Sequence, residues 1–222
     1  MAAVDISGTV RERAARELRD RILTGALRPG SRVDLDAITE EFATSRTPVR
    51  EALLELSYEG LVRIAPRSGI TVIGISAEDI VDSFTILGVL TGQAAAWAAE
   101  RATDDELRQL RDLAAEVAAK SGAAEIGESN WRFHQRIHRA AQSPRLLTQI
   151  RQAVRVVPSN FLTVFPEHEK HSLDDHERLL DALESRDSGR ARRVAEAHVL
   201  DAGRSLARWL DEQSDTAQAV DQ

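Results

Sequence analysis

The sequence predicts a mainly α protein: an N-terminal winged helix-turn-helix, made of three helices plus a β-hairpin wing, followed by an all-α antiparallel six-helix bundle. Three observations predict it. Before residue 60, apolar residues recur at helical spacing in three short blocks. Two β-branched runs follow, Leu61–Ile64 and Ile70–Ile73, joined by a turn that holds Pro66 and Gly69. Beyond residue 76 the pattern is helical throughout, broken only by short Ser, Thr, Gly and Pro punctuation. The expected organisation is 1–75 as the winged unit, 76–212 as the bundle and 213–222 as a polar, disordered tail.

Each element has a local reason. The segment from Val10 to Gly25 carries Ala14, Leu18, Ile22 and Leu23 at helical spacing, and Gly25 with Pro29-Gly30 ends it. Asp34 or Asp36 caps a short helix over Ala37 to Phe42, where Ile38 and Phe42 share a face. Thr47 reads as the next N-cap, with Pro48 at the first helical position. Val49, Ala52, Leu53 and Leu56 form the buried stripe of that third helix, which Gly60 stops. The boundary falls at Gly74-Ile75-Ser76. Bundle helices are expected over 77–102, 104–120, 125–142, 145–163 with a bend at Pro158, 168–185 and 188–212. Their short connections favour antiparallel neighbours.

Composition narrows the function without fixing it. The 222 residues can hold two modest domains, each with a core. The net charge of −7 argues against nucleic acid only while the chain is taken whole. Residues 1–75 hold 11 arginines, no lysine and 11 acids, so all the excess acid lies beyond them. Local arrangement of charge, not the total, decides phosphate binding. The absence of cysteine excludes disulfides and thiolate metal sites. No apolar run approaches the roughly 20 residues of a membrane span, and Met1–Val10 lacks a basic segment followed by an apolar one. The expectation is a cytoplasmic protein.

Arg46, Thr47 and Arg50 open the third helix, where backbone N–H groups and the helix dipole favour phosphate. An arginine can also grip guanine O6 and N7 with two hydrogen bonds, and a threonine can reach phosphate or a thymine methyl. The blander reading pairs these arginines with Glu41, Glu51 or Glu55 on a solvated surface. Context decides between the two. Leu27-Arg28-Pro29-Gly30-Ser31, then Ser45-Arg46-Thr47-Pro48-Val49-Arg50-Glu51-Ala52-Leu53, then Glu59-Gly60-Leu61-Val62 and Pro66-Arg67-Ser68-Gly69, resemble the GntR family of bacterial repressors nearly throughout. The resemblance implies that Arg46, Thr47 and Arg50 contact DNA. It also implies that the tip Arg67-Ser68-Gly69 enters the minor groove or touches phosphate. Gly69 suits a wing tip, which needs a positive φ or close backbone approach. Ala43-Thr44 stands where the family usually has Gly-Val, and the β-branched Thr44 makes a less relaxed turn.

Past the wing, Ala98 to Leu107, Phe133-His134, His176 to Leu183 and Ala191 to His198 resemble the branch with an effector-binding FCD domain. His134 lies one turn after Asn130; His176 sits beside Leu173, Leu179 and Leu180; His198 lies between Val194 and Ala202. A lone histidine on an apolar face is usually a hydrogen-bonded core residue. Three on different helices of one bundle suit a divalent ion such as Zn or Ni. The family pattern, an Asp, a His four residues later and two more His about 22 apart, falls on Asn130, His134, His176 and His198. Asn130 replaces the Asp, and an amide brings no charge, so metal affinity should fall. The family's effector-facing Arg and Glu fall on Leu87 and Thr91, so one anion clamp for the usual small carboxylates is gone. A larger or more apolar ligand, or an acid held by the metal alone, becomes possible.

The resemblance implies a homodimer reading two half-sites of a near-palindromic operator and switched by a small-molecule metabolite. Two other readings compete. One is a metal-dependent hydrolase; but in His168-Glu169-Lys170-His171 the second histidine comes one residue too early for a metalloprotease helix. The other is an architectural DNA binder with a purely structural bundle, which would show no effector-dependent change.

Overall fold

In the computed structural model, α1 (Val10–Leu23) starts where Thr9 accepts from the Glu12 amide while the Glu12 carboxylate accepts from the Thr9 amide. The structure describes residues 8–66, 69–120 and 123–220, and the side chains of these except 123–124, 166–171 and 214–220. The chain divides into two compact units, Met1–Ser76 with Leu210–Gln222, and Ala77–Trp209.

In the first unit, α2 (Leu35–Glu41) begins two residues earlier than expected because Asp34, not Asp36, is the cap, accepting from the amides of Asp36 at 2.9 Å and Ala37 at 3.1 Å. Helix α3 (Arg46–Tyr58) also begins early. Its N-cap is Ser45 rather than Thr47, so Pro48 occupies the third helical position. Both positions tolerate proline, since first-turn amides have no intrahelical acceptor. Val49, Ala52, Leu53 and Leu56 are buried, as are Ala14, Ala15, Leu18 and Ile22 of α1, and these faces form the core between the two helices. Arg19, itself buried, closes one side by donating to both Glu59 oxygens at 2.7 and 2.8 Å.

The turn between α2 and α3 is strained at Ala43, which sits at φ +46°, rather than at Thr44. A left-handed backbone costs a residue with a Cβ about 1–2 kcal/mol, and glycine gives back about 0.4–1 kcal/mol of that in chain entropy. Ala43→Gly should therefore stabilise the chain by about 0.5–1 kcal/mol, read as a higher midpoint in urea.

The wing pairs β1 (Val62–Ala65) with β2 (Gly69–Val72) in antiparallel register, Val62 opposite Val72 and Ala65 opposite Gly69. Gly69 takes φ +87°, as a tip residue needs. A third edge was not legible in the sequence. Val33 donates to the Ile70 carbonyl and Val72 donates to the Ser31 carbonyl, which places Arg32 beside Thr71.

The second unit holds α4 (Ala77–Arg101), α5 (Asp104–Ala119), α6 (Ala123–Ala140), α7 (Pro144–Ala153), the one-turn α8 (Phe161–Val164), α9 (Pro166–Glu184) and, as far as Trp209, α10 (Ser188–Val220). The helix expected over 145–163 is broken, not bent. After a 3-10 turn at Val154–Val156, Val157 is extended (ψ 114°) ahead of Pro158, as the residue before a proline tends to be. The segment expected as a disordered tail is helical as far as Val220, because no proline or glycine follows Gly203 to stop α10. By length and composition α4 alone among the described helices is apolar enough to cross a bilayer, a test that a buried core helix also passes. Here it is a core helix, burying Ile80, Phe84, Leu87, Ala94, Ala95 and Ala98. It packs on α6, α7 and α9. It also runs antiparallel to α10: Phe84 meets Gly203, and Gly92 meets Glu196. The approach requires glycine at 203, where a Cβ would lie 2.4 Å from the Phe84 Cβ.

Candidate functional site: an arginine-bearing helix and a histidine cluster

Arg46, Thr47 and Arg50 are all exposed on the outer face of α3, opposite its core stripe. Ser45 makes no side-chain cap, so the amides of Arg46 and Thr47 at the helix start are left to solvent or a ligand. Arg46 reaches across to Asp36 at 2.7 Å, an exposed pair. Arg50 makes no ion pair among the described residues. Of the three acids that could have neutralised it, Glu41 is engaged by Arg21 and Glu55 by Arg11 and Arg19, while Glu51 is exposed and makes no ion pair among the described residues. Arg67 lies outside the described residues, while Gly69 sits at the wing tip as expected.

Two groups on this side of the molecule escaped the sequence reading. Leu54 is 46% and Tyr58 83% exposed, on the same face as Thr47 and Arg50; the spacing 47, 51, 54, 58 could have marked them. On the wing, Arg63 stands opposite Thr71 and Arg32 is bridged to it on the other side, so two exposed arginines flank Thr71 on one sheet face.

The three histidines do converge. His134 of α6, His176 of α9 and His198 of α10 each offer a ring nitrogen within 4.8 Å of the others. The rings of His134 and His198 stack at 5.1 Å between centroids, and Phe133 lies 4.5 Å from His176. The His134 and His176 Nε2 atoms are 3.3 Å apart. Two ligands bonded at about 2.0–2.1 Å in a tetrahedron around zinc stand about 3.3–3.4 Å apart, the same spacing. Burial, then the neighbouring His176, His198 and His138, hold the His134 imidazole well below its ordinary pKa, so it is neutral and its lone pair is available. Asn130 lies one turn earlier with Oδ1 buried and without a hydrogen-bond partner among the described residues. Three imidazoles, that of His134 held neutral, and an orphaned buried carbonyl oxygen are a donor set that fits a divalent ion. Ser172 Oγ lies 3.3 Å from His176 Nε2, and Asp175 Oδ2 lies 3.4 Å from His198 Nδ1. His198 holds the Asp175 carboxyl below the usual carboxylate range.

A small cavity of about 10 Å³, room for about one water, adjoins the cluster, lined by Thr91, His134, His138, Leu179 and His198 among others. Thr91 is thus at the site, but its hydroxyl donates to its own helix, to the Leu87 and Gly88 carbonyls at 3.0 and 3.1 Å. Leu87 is buried in the core one turn away and is not among the residues lining that cavity. His138 was not singled out by sequence. It lines both this cavity and a neighbouring cleft toward Trp131 and Leu147, and burial lowers its pKa to about 4.

That shift has a stability consequence. With a folded value near 4 and an unfolded value near 6.5, the stability tied to neutral His138 is present above pH 6.5 and lost as pH falls toward 4. The loss is about 3 kcal/mol at one pKa unit per 1.36 kcal/mol. Denaturant titrations at pH 7 and 4 should show a smaller acid loss for His138→Leu than for the wild-type chain.

Comparison with known proteins places these elements. Residues 10–72 match the model of bacterial regulatory proteins of the gntR family, and residues 82–201 match the FCD domain. An uncharacterised HTH-type transcriptional regulator of Mycobacterium tuberculosis (strain H37Rv) is 27% identical over 183 residues, covering 79% of this chain and 75% of that protein. The gluconate operon transcriptional repressor of Bacillus licheniformis is 27% identical over 172 residues, covering 76% of this chain and 70% of its own. The solved structure of McbR/YncC from E. coli superposes with a TM-score of 0.69 over 93% of this chain and 99% of that one; at 24% identity it supports the fold. With a matched reading head, a matched helical domain and relatives that regulate rather than catalyse, the chain belongs to the GntR family of transcriptional regulators with an FCD domain, and it is not an enzyme.

Proposed function

We propose that this chain is a cytoplasmic repressor that binds a near-palindromic operator as a homodimer and is released or retained by a small metabolite bound beside a metal ion in the helical unit. The observation that carries the reading is the convergence of His134, His176 and His198, from three helices, on one buried spot next to a cavity. A structural core has no need of three facing imidazoles, whereas a divalent ion such as Zn or Ni needs such a set. In this reading Asn130, His134, His176 and His198 hold the ion, which supplies a positive anchor for an acidic ligand. The residues of the chain shape the rest of the pocket. Leu179 and Thr91, whose hydroxyl is spent on its own helix, favour an apolar ligand body, and Leu87 removes the arginine that would clamp a second carboxylate.

On the DNA side, one α3 enters each major groove, with Arg46, Thr47 and Arg50 at its leading end. Arg67 and Gly69 belong to the wing contact, with Arg32 and Arg63 on its face toward phosphate. Residues 1–75 are the reader and 76–212 the sensing and dimerising part. Opposed preferences of effector and operator for the same two states supply the switch. A relative named as a repressor supports the sign. The test is metal analysis of the purified chain, followed by thermal-shift screening of small acids, sugars and lipophilic metabolites. One bound ion per chain and a stabilising acid are expected. A chain that carries no metal, and that no acid stabilises, would refute the sensing half.

A further inference from the structure

We propose that Asp175 is the positioning residue of the histidine cluster, fixing His198 as the Nδ1–H tautomer so that Nε2 is the nitrogen offered to the ion. This rests on the reading of the cluster as a metal centre. Asp175 immediately precedes His176 on α9, so the side chains of the two diverge by about 100° around the helix. His176 turns inward beside His134, while Asp175 reaches the flank of His198 on α10, with Oδ2 3.4 Å from Nδ1, an ion-pair distance that falls short of hydrogen-bond geometry and that a small turn of either side chain would close. Its other oxygen is held from outside by Arg178 Nη1 at 3.3 Å. The carboxylate therefore has one oxygen tied at the surface and the other facing the imidazole. The side chain of His198 is only 9% exposed, so solvent does not compete strongly for that nitrogen.

The need for such a residue follows from the chemistry of the set. An imidazole presents a lone pair on only one of its nitrogens, and which one is decided by the hydrogen bond that the other makes. A carboxylate on the far nitrogen selects the tautomer, orients the ring and raises its basicity. The other members of the set, His134, His176 and Asn130, bring no negative charge. Asp175 supplies one charge next to the cluster, and it contacts His198 rather than all three rings, which separates it from the ligands themselves.

The test uses the full-length chain, Zn²⁺ as the probe and Asp175→Asn, which keeps the shape and removes the charge. Chelator competition should show zinc affinity falling by about 10–100-fold, the range for outer-shell partners of ligating histidines. In the metal-free chain, ¹⁵N shifts of His198 should report a protonated Nδ1, and D175N should shift the population toward protonated Nε2. On zinc addition the His198 Nε2 resonance should move. Matched melting temperatures of the metal-free proteins confirm that the variant is folded. Zinc binding by the wild type that D175N leaves unchanged, with the tautomer unaltered, overturns the assignment alone. Zinc appearing on Nδ1 of His198 overturns it too. A wild-type chain that takes up no zinc overturns the metal reading, and with it the role of Asp175 toward a ligand.

Discussion

Arg50→Ala should weaken binding to the specific operator by about 1–3 kcal/mol, roughly 5- to 150-fold, and leave the melting temperature nearly unchanged. The residue is exposed, one turn into the leading end of α3, and no acid among the described residues neutralises it. Its loss exposes no core, because Val49, Leu53 and Leu56 face the other way. Arg46 should behave differently. It already pairs with Asp36 at 2.7 Å, an exposed contact worth about 0–1 kcal/mol, and DNA must compete for it. Asp36→Ala therefore tightens DNA binding slightly where Arg46→Ala loosens it. Fluorescence anisotropy with the operator and with a scrambled duplex separates the two roles. A base-reading Arg50 loses affinity for the operator far more than for the scrambled sequence. Equal losses on both would reduce it to a phosphate contact.

His176→Ala should abolish zinc binding and any ligand-induced thermal shift. His176 is buried, its Nε2 is 3.3 Å from His134 Nε2, and its ring packs on Phe133. Removing a ligand should cost more than the 10–100-fold that outer-shell changes cost. The vacated ring also loses packing, so the metal-free variant should melt lower than the metal-free parent. His176→Gln keeps more of the volume and serves as the control. If both variants bind zinc as the parent does, the cluster is a packed core.

How far these sites could be read from sequence depends on what fixes each. The stripe Val49, Ala52, Leu53, Leu56 is local, a periodicity set within one helix, and it was legible. So was the convergence of His134, His176 and His198, through spacing that a family shares. The start of α3 was not, because Pro48 is acceptable at either the first or the third helical position and Ser45 and Thr47 are equally good caps. The third wing edge at Ser31–Val33 is invisible to periodicity, being one short bridge to Thr71. Tertiary placement hides the rest. His138 is buried by α7, and Asp175 finds His198 only once α9 and α10 lie side by side. The strain at Ala43 was anticipated at the right turn but on the neighbouring residue, since the backbone, not the β-branch of Thr44, carries the left-handed conformation.

The most direct test of the central claim, a DNA reader governed by the histidine cluster, is one operator titration. Anisotropy of a labelled near-palindromic operator is followed for zinc-loaded wild type and for H176A, each with and without a saturating acid found by thermal shift. Linkage predicts a wild-type affinity that changes by about 5- to 150-fold on adding the acid, a coupling of about 1–3 kcal/mol. H176A should bind the operator with the same affinity in both conditions. A wild-type affinity that the acid leaves unchanged would contradict the account.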